Sequence, residues 1–292
     1  TFCFWKELKD GFFAGGKLLD MPLAKKMLSY TWPILFLGIA GILNQTAGYI
    51  IFPYVYKDND AHTQLGIFGA ASKIAMIMSM ITQAFRYAYE PFVFGKARDK
   101  DNKETYARAM KFFIIFTLLA FLVVMGYMDI LRHIIGRDYW VGLKVVPIVM
   151  AGGIMTGVYF NLSFWYKLID KTIWGAYFSG IGCAVIIGIN VIFVPKYGYI
   201  ACAWAGFMGN ATAMVLSYLV GQRKYPINYP LKSIFVYLLI AGLFFAVITY
   251  TNANLPVPAA LGINTLVIIL FIAHVLYHDF PLQQLRNRNA KK

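Results

Sequence analysis

Eight apolar runs, separated by short polar segments, make up most of this 292-residue chain. Each run is close to the ~20 residues that a helix needs to cross a bilayer. The pattern therefore predicts an all-α fold, a polytopic transmembrane helix bundle of about eight membrane helices. The runs cover residues 30–56, 65–95, 108–131, 142–166, 172–194, 198–221, 232–251 and 257–277. The fifth and sixth runs are joined so closely that they are expected to form a tight antiparallel hairpin.

The second run, LGIFGAASKIAMIMSMITQAFRYAYEPFVFG, carries ionic side chains although it is long enough to cross the membrane. When it is wound at about 100° per residue, its polar positions fall on one arc of about 140°. Charge inside a membrane normally faces a bundle interior or a water-filled cavity. The arc therefore predicts the wall of an aqueous cavity. Its members are Lys73, Met76, Ser79, Met80, Gln83, Arg86, Tyr87 and Glu90.

Two simpler interpretations apply to the end of this arc. Arg86 and Glu90 are four residues apart and can pair with each other on one helix. They also lie near the helix end, where long side chains can extend to the lipid headgroups. Lys73 has no acidic residue within one turn of its own helix, so for Lys73 the sequence favours a functional cation in a cavity.

The composition supports membrane insertion and predicts the orientation. Apolar residues make up 60% of the chain and charged residues 14%, against about 45–50% and about 25% in soluble domains. The net charge of +14 does not indicate nucleic-acid binding, because the basic residues lie between apolar runs. Twenty of the 27 fall on one side of the predicted membrane and five on the other, and the remaining two are Lys73 and Arg86. Since cytoplasmic loops carry excess Lys and Arg, both ends of this chain are predicted to be cytoplasmic.

The chain lacks motifs of enzymatic chemistry. It contains no phosphate-binding loop, no HExxH, no GxSxG and no Cys/His metal cluster. We therefore predict no cofactor, no metal site and no enzymatic activity. Any transport must draw on an ion gradient or on the gradient of the substrate itself.

Small and polar residues inside the runs predict how the helices pack. Glycines and alanines at spacing four allow close approach of helix backbones, as at Gly153 and Gly157 and at Ala201, Ala205 and Gly209. Pro147, with Gly152 and Gly153, predicts a bend in the fourth span. Hydrogen bonds between helices are the favoured role over ligand contact for the amides within the spans, Asn44, Gln45, Asn161 and Asn190. Cys183 and Cys202 are predicted to be small packing residues.

Three segments together resemble a known family. LGIFGAASKIAMIMSMITQAFRYAYEPF, YWVGLKVVPIVMAGGIMTGVYFNLSFWYKLIDKT and VIFVPKYGYIACAWAGFMGNATAMVLSYLVGQRKYPINYP resemble the eighth, tenth and eleventh-to-twelfth helices of polysaccharide flippases. These proteins belong to the multidrug/oligosaccharidyl-lipid/polysaccharide exporter superfamily. The resemblance covers nearly the whole chain and is strongest over 65–95 and 139–230.

The resemblance implies two six-helix lobes that rock around a central cavity, sometimes followed by two extra helices. On this mapping, residues 1–29 are an interlobe linker with an amphipathic stretch. Residues 30–221 are the six-helix C-terminal lobe, and 222–292 hold two additional transmembrane helices and a basic cytoplasmic tail. The missing N-terminal lobe of the same protein is then a partner. Because the chain begins at Thr1, we expect it to be a piece of a longer protein that inserts but does not transport alone.

The implied function is to flip undecaprenyl-pyrophosphate-linked oligosaccharides from the inner to the outer leaflet of the bacterial plasma membrane. Lys73 and Arg86 are the candidate phosphate contacts. Gln83, Tyr87 and Asn44 are candidates to hydrogen-bond sugar hydroxyls, and Glu90 is a candidate coupling acid. Four aromatic residues are expected to stack on sugars or to form an interfacial belt, the belt being favoured for the last two: Tyr159, Phe160, Trp165 and Tyr166.

Two other functions fit part of the pattern. A cation-coupled multidrug exporter of the same superfamily is one alternative, but a cavity for cationic drugs is expected to be acidic. A membrane enzyme of glycan assembly is the other, although the predicted outer loops are short for a catalytic site. A purely structural subunit is a further possibility.

Overall fold

The computed structural model describes residues 21–57, 60–95 and 102–279. Residues 1–20 of the predicted linker, including Cys3, and the predicted basic tail at 280–292 lie outside the described residues. Ten α-helices and two 3₁₀ segments cover most of the described chain. The helices are α1 (Met21–Val55), α2 (Ala61–Gly95), α3 (Asn102–Gly126), α4 (Met128–Leu131), α5 (Val146–Leu162), α6 (Phe164–Leu168), α7 (Ile173–Tyr197), α8 (Tyr199–Lys224), α9 (Leu231–Asn254) and α10 (Val257–Asp279). The 3₁₀ segments are Arg132–Ile134 and Arg137–Val145.

Seven helical segments of the described chain are long and apolar enough to cross a membrane. They correspond to the second through eighth predicted runs, and one of them, Arg137–Leu168, combines a 3₁₀ segment with α5 and α6. The predicted polytopic helix bundle is confirmed, and the chain is a multi-pass membrane protein. Helix α1 occupies the position of the first run, and its role as a span stays a prediction, as do the domain boundaries.

The predicted hairpin between the fifth and sixth spans is confirmed. Gly198 alone separates α7 from α8 and has a φ of +55°, which lies in the region where residues with a Cβ are strained. Gly209 on α8 faces α7 so closely that a Cβ there would lie 2.3 Å from Ile186 Cγ1 and 2.7 Å from the Gly182 carbonyl oxygen. The small residues therefore permit close helix contact, as their spacing predicted.

The predicted bend in the fourth span stays a prediction, and the secondary structure of the span changes at two places. Pro147 lies in the first turn of α5, directly after a 3₁₀ segment, where a missing backbone N–H costs little. The break comes at Ser163, between α5 and α6. Gly153 and Gly157 instead make room for Met78 and Phe113, because an added Cβ would lie 2.9 Å from Met78 Cγ and 2.2 Å from Phe113 Cζ.

Helices α9 and α10 pack on each other and on α3. At one end of α10, Lys111 of α3 forms an ion pair with Asp279, which also accepts a hydrogen bond from Tyr237 of α9. At the other end, Asn264 donates to the Gly126 carbonyl oxygen at 2.9 Å. The last two spans are therefore fastened to α3 at both ends.

Helix α2 buries one stripe and leaves the opposite arc open. Buried residues recur along it at helical spacing: Ile67, Phe68, Ala71, Ile74, Ala75, Met78, Thr82, Tyr89 and Val93. Most of the polar arc lies on the other side, with Lys73, Ser79 and Tyr87 exposed. The arc predicted from the sequence therefore faces away from the core that α2 forms with α5.

Candidate transport cavity

A cavity of about 390 Å³ lies among α1, α2, α5, α7 and α8. Two of the candidate sugar contacts, Asn44 of α1 and Gln83 of α2, line it. Ser72, Ser79 and Thr82 extend its polar wall along α2. Asn190 of α7 and Asn210 of α8 contribute further amides.

Several polar atoms of this cavity are buried without a hydrogen-bond partner. They are Asn44 Oδ1, Thr82 Oγ1, Gln83 Oε1 and Asn190 Oδ1. Leaving a buried polar atom unpaired costs about 1–3 kcal/mol. These atoms border the cavity but have almost no exposed surface, so a side-chain movement must precede their pairing with water or a polar ligand in it. Three of the four are amide oxygens, so the occupant must donate hydrogen bonds.

The expected hydrogen bonds between helices are wrong for two of the asparagines. Asn161 Nδ2 donates to the Gly157 carbonyl oxygen at 3.0 Å, and Asn190 Nδ2 to the Ile186 carbonyl oxygen at 2.8 Å. Both acceptors lie four residues back on the donor's own helix. Each side chain thus satisfies its amide nitrogen locally, while its buried oxygen has no partner among the described residues.

No charged side chain is among the residues that line this cavity in the described part of the chain. Lys73 follows the lining residue Ser72, but its own side chain is exposed and forms no ion pair with any described residue. Tyr87 is 69% exposed and also lies outside the lining. The wall is therefore neutral, and the cations lie beside it on the same helix.

Arg86 and Glu90 form a separate charged cluster near the end of α2. Glu90 Oε2 lies 3.9 Å from Arg86 Nε, and Glu90 Oε1 accepts a hydrogen bond of 2.8 Å from Lys167 Nζ. The Arg86 guanidinium lies over the Phe160 ring, 5.0 Å from its centroid. Phe160 also lines the 390 Å³ cavity, so its ring separates the charged cluster from the neutral wall.

Lys167 was missed by the sequence analysis. The predicted topology already placed the connection after the fourth span and the end of the second span on the cytoplasmic side. Glu90 at the end of the second span and Lys167 in the connection after the fourth span are therefore on the same side of the membrane in the predicted topology, where they can pair. Only the packing of α6 against α2 identifies which of the several basic residues on that side reaches Glu90.

A small cavity of about 10 Å³ lies beside this cluster. Three of the residues that line it have a buried atom without a partner: Thr82 Oγ1, Arg86 Nε and Asn161 Oδ1. A volume of about 10–15 Å³ holds one water molecule, which needs two to four polar partners. The small cavity therefore has room for one water molecule between these groups.

The predicted roles of three aromatic residues are wrong. Tyr159, Trp165 and Tyr166 are at most 6% exposed and form a core cluster with Phe178, so they neither stack on a ligand nor form an interfacial belt. The Tyr159 hydroxyl lies 2.9 Å from Ser179 Oγ. Cys183 and Cys202 are buried and free, which agrees with packing roles. Cys202 also lines the large cavity.

The helix bundle therefore encloses a cavity with polar walls. Solved structures share this fold. The lipid II flippase MurJ in its inward closed conformation matches with a TM-score of 0.66 and 16% identity, over 94% of this chain and 59% of the flippase. The Vibrio cholerae MATE transporter VcmN in its bent form matches with a TM-score of 0.61 and 13% identity, over 80% of this chain and 56% of VcmN.

Both transporters share the predicted helix-bundle fold with this chain. The chain spans less than two thirds of the length of either transporter. No protein-family model matches the chain, and no curated protein does.

Proposed function

We propose that this chain is part of a flippase that turns undecaprenyl-pyrophosphate-linked oligosaccharides across the bacterial plasma membrane, with both ends of the chain cytoplasmic. The observation that carries the proposal is the 390 Å³ cavity with its buried, unpaired amide oxygens. Sugar hydroxyls are hydrogen-bond donors and match these acceptors. The likeness to a lipid II flippase supports the same class of substrate.

The neutral cavity wall and the cations beside it on α2 match the two parts of such a headgroup. Asn44, Gln83 and Tyr87 bind the glycan by hydrogen bonds. Lys73 and Arg86, which about 20 Å of helix separates, contact the pyrophosphate at different stages of its passage, and a point charge and a planar fork are suitable partners for it. Glu90 is the acid through which an ion gradient acts on the cavity. The missing N-terminal lobe closes the other side of the pathway, as alternating access requires.

The site assignment is tested with Lys73→Ala and Arg86→Ala combined in the complete transporter. Surface glycan is measured in cells, and membrane insertion is measured in parallel. We expect normal insertion and loss of outer-leaflet glycan. The matched control is Arg223→Ala with Lys232→Ala, which removes the same charge from exposed positions near the junction of α8 and α9 and should leave export intact. Unchanged export in the double variant on α2 rejects the assignment.

A second function, multidrug export, is favoured by the likeness to VcmN. It predicts that cells lacking the protein become more sensitive to cationic drugs. Against it, the single acid on the polar arc of α2 is already paired with Lys167, so little negative charge is left for a cationic drug. Drug sensitivity that changes while surface glycan does not supports export of drugs instead of glycolipid.

A further inference from the structure

The Lys167 side chain is held in a defined place. It lies on α6, is only 17% exposed and donates a hydrogen bond of 2.8 Å to Glu90 Oε1 on α2. Its Nζ also lies over the Phe164 ring, 5.1 Å from the centroid. A charged group with this little contact with water needs a partner. The ion pair with Glu90 therefore persists in this conformation.

Glu90 has two cationic neighbours at different distances. Lys167 Nζ lies within hydrogen-bond distance, whereas Arg86 Nε is 3.9 Å away, beyond the range of a hydrogen bond. The carboxylate is thus neutralised mainly by Lys167. The cluster of Arg86, Glu90 and Lys167 keeps one net positive charge, and that charge resides mostly on Arg86.

Arg86 makes no hydrogen bond to the described residues, and its Nε is buried without a partner. The ring of Phe160 supports one face of its guanidinium. About a third of the side chain, 34%, remains exposed. A guanidinium that is oriented but lacks an acceptor presents two parallel N–H groups, which is the geometry that binds phosphate oxygens.

Building on the proposed function, we propose that Lys167 is a positioning residue for substrate phosphate. By holding the Glu90 carboxylate, Lys167 keeps that acid from pairing with Arg86. The guanidinium then stays available to an isoprenoid pyrophosphate. Lys167 itself does not touch the substrate.

This role predicts an unusual pattern of variants. Without Lys167, the Glu90 carboxylate turns to Arg86, because the two lie four residues apart on one helix. Phosphate binding then weakens. Removal of the Glu90 carboxylate in addition to Lys167 restores phosphate binding, because Arg86 again has no acidic partner. A purely structural role for the Lys167–Glu90 bridge predicts instead that binding falls and recovers only together with thermal stability, because the loss of one partner leaves a buried charge unpaired and the loss of both does not. The positioning role predicts weaker binding in Lys167→Met without a matching loss of thermal stability.

The test measures binding of farnesyl pyrophosphate to the protein in lipid nanodiscs, with farnesol as the uncharged control. Wild type, Lys167→Met, Glu90→Gln, the double variant and Arg86→Ala are compared, with Lys167→Arg as the variant that keeps the bridge. We expect Lys167→Met to weaken pyrophosphate binding about tenfold, the size of effect that a pairing charge a few ångströms away produces. The double variant and Lys167→Arg should bind within about twofold of wild type.

Each outcome decides a different point. If Lys167→Met binds as tightly as wild type, or if the double variant stays weak, the positioning role is rejected while the flippase proposal stands. If Arg86→Ala binds as tightly as wild type, the phosphate site of the proposed function fails as well. Should Lys167→Met not insert, Glu90→Gln alone still decides, because the proposal requires it to bind pyrophosphate at least as tightly as wild type.

Discussion

Two groups of asparagines lie inside this bundle, and they differ in whether their side-chain oxygens have hydrogen-bond partners. Between α3, α9 and α10, Asn264 Nδ2 donates to the Gly126 carbonyl oxygen and to Asn252 Oδ1, while Asn264 Oδ1 accepts from Thr251. Asn252 in turn donates to the Met125 carbonyl oxygen. In the 390 Å³ cavity, the oxygens of Asn44 and Asn190 have no partner among the described residues.

The difference separates a structural role from the proposed role in substrate binding. We call the first group, together with Thr251, the docking network; it consists of Thr251, Asn252 and Asn264. It satisfies two carbonyl groups at the end of α3 that the helix itself leaves unpaired. Its polar atoms hold helices together. The cavity asparagines hold no helices together through their oxygens, which leaves these oxygens free for the proposed binding of a polar substrate.

The largest expected effect comes from breaking the docking network. Asn264→Leu leaves the Gly126 carbonyl oxygen and the Thr251 hydroxyl with one partner fewer in an apolar setting, and should lower the free energy of unfolding by about 3 kcal/mol. Unfolding in mixed detergent micelles measures this change in the free energy of unfolding. The matched variant Asn190→Leu removes an unpaired oxygen and should change stability by less than about 1 kcal/mol. Equal losses in the two variants would remove the distinction between the groups.

A second contrast lies three residues apart on α8. Gly209→Ala places a Cβ against Ile186 and the Gly182 carbonyl oxygen and should destabilise the protein by about 2 kcal/mol. Gly206 lines the cavity, and an added Cβ there meets nothing within 4 Å. Gly206→Ala should therefore be neutral or slightly stabilising, since Ala favours helix over Gly by about 1 kcal/mol. Thermal unfolding of both variants decides whether α8 has one packed and one open face.

A third contrast separates stability from transport. Asn44→Leu with Asn190→Leu should leave thermal stability nearly unchanged, because neither oxygen has a protein partner to lose. Export of surface glycan should fall about tenfold, since two acceptors for the headgroup are gone. A variant that unfolds and loses export together would indicate that these residues belong to the structural core.

The sequence predicted the helices well because their signal is local. Predicted runs at 232–251 and 257–277 correspond to Leu231–Asn254 and Val257–Asp279. Apolar length is set by the thickness of the bilayer, so it can be read without knowing the neighbours. The close packing at Gly153, Gly157 and Gly209 was also visible, because spacing four places small residues on one helix face.

What failed or stayed undecided depended on partners from other helices. The positions of Trp165 and Tyr166 in the sequence predicted an interfacial belt. Aromatic residues near the end of a span have the same sequence pattern whether they face the membrane interface or lie in the core. Pro147 predicts a bend or a helix start with equal ease, and the choice depends on where the preceding 3₁₀ segment ends. The pairing of Lys167 with Glu90 joins residues 77 positions apart and has no local signature.

The most direct test of the central claim, that the cavity takes up water and polar ligands within the membrane, is thiol labelling. In a background without native cysteines, Ser79→Cys places a thiol on the cavity wall and Leu243→Cys places one on an exposed apolar position of α9. A water-soluble thiol reagent applied to membranes should modify Ser79→Cys rapidly and Leu243→Cys hardly at all. If Ser79→Cys is as unreactive as Leu243→Cys in folded protein, the cavity is dry and the account is contradicted.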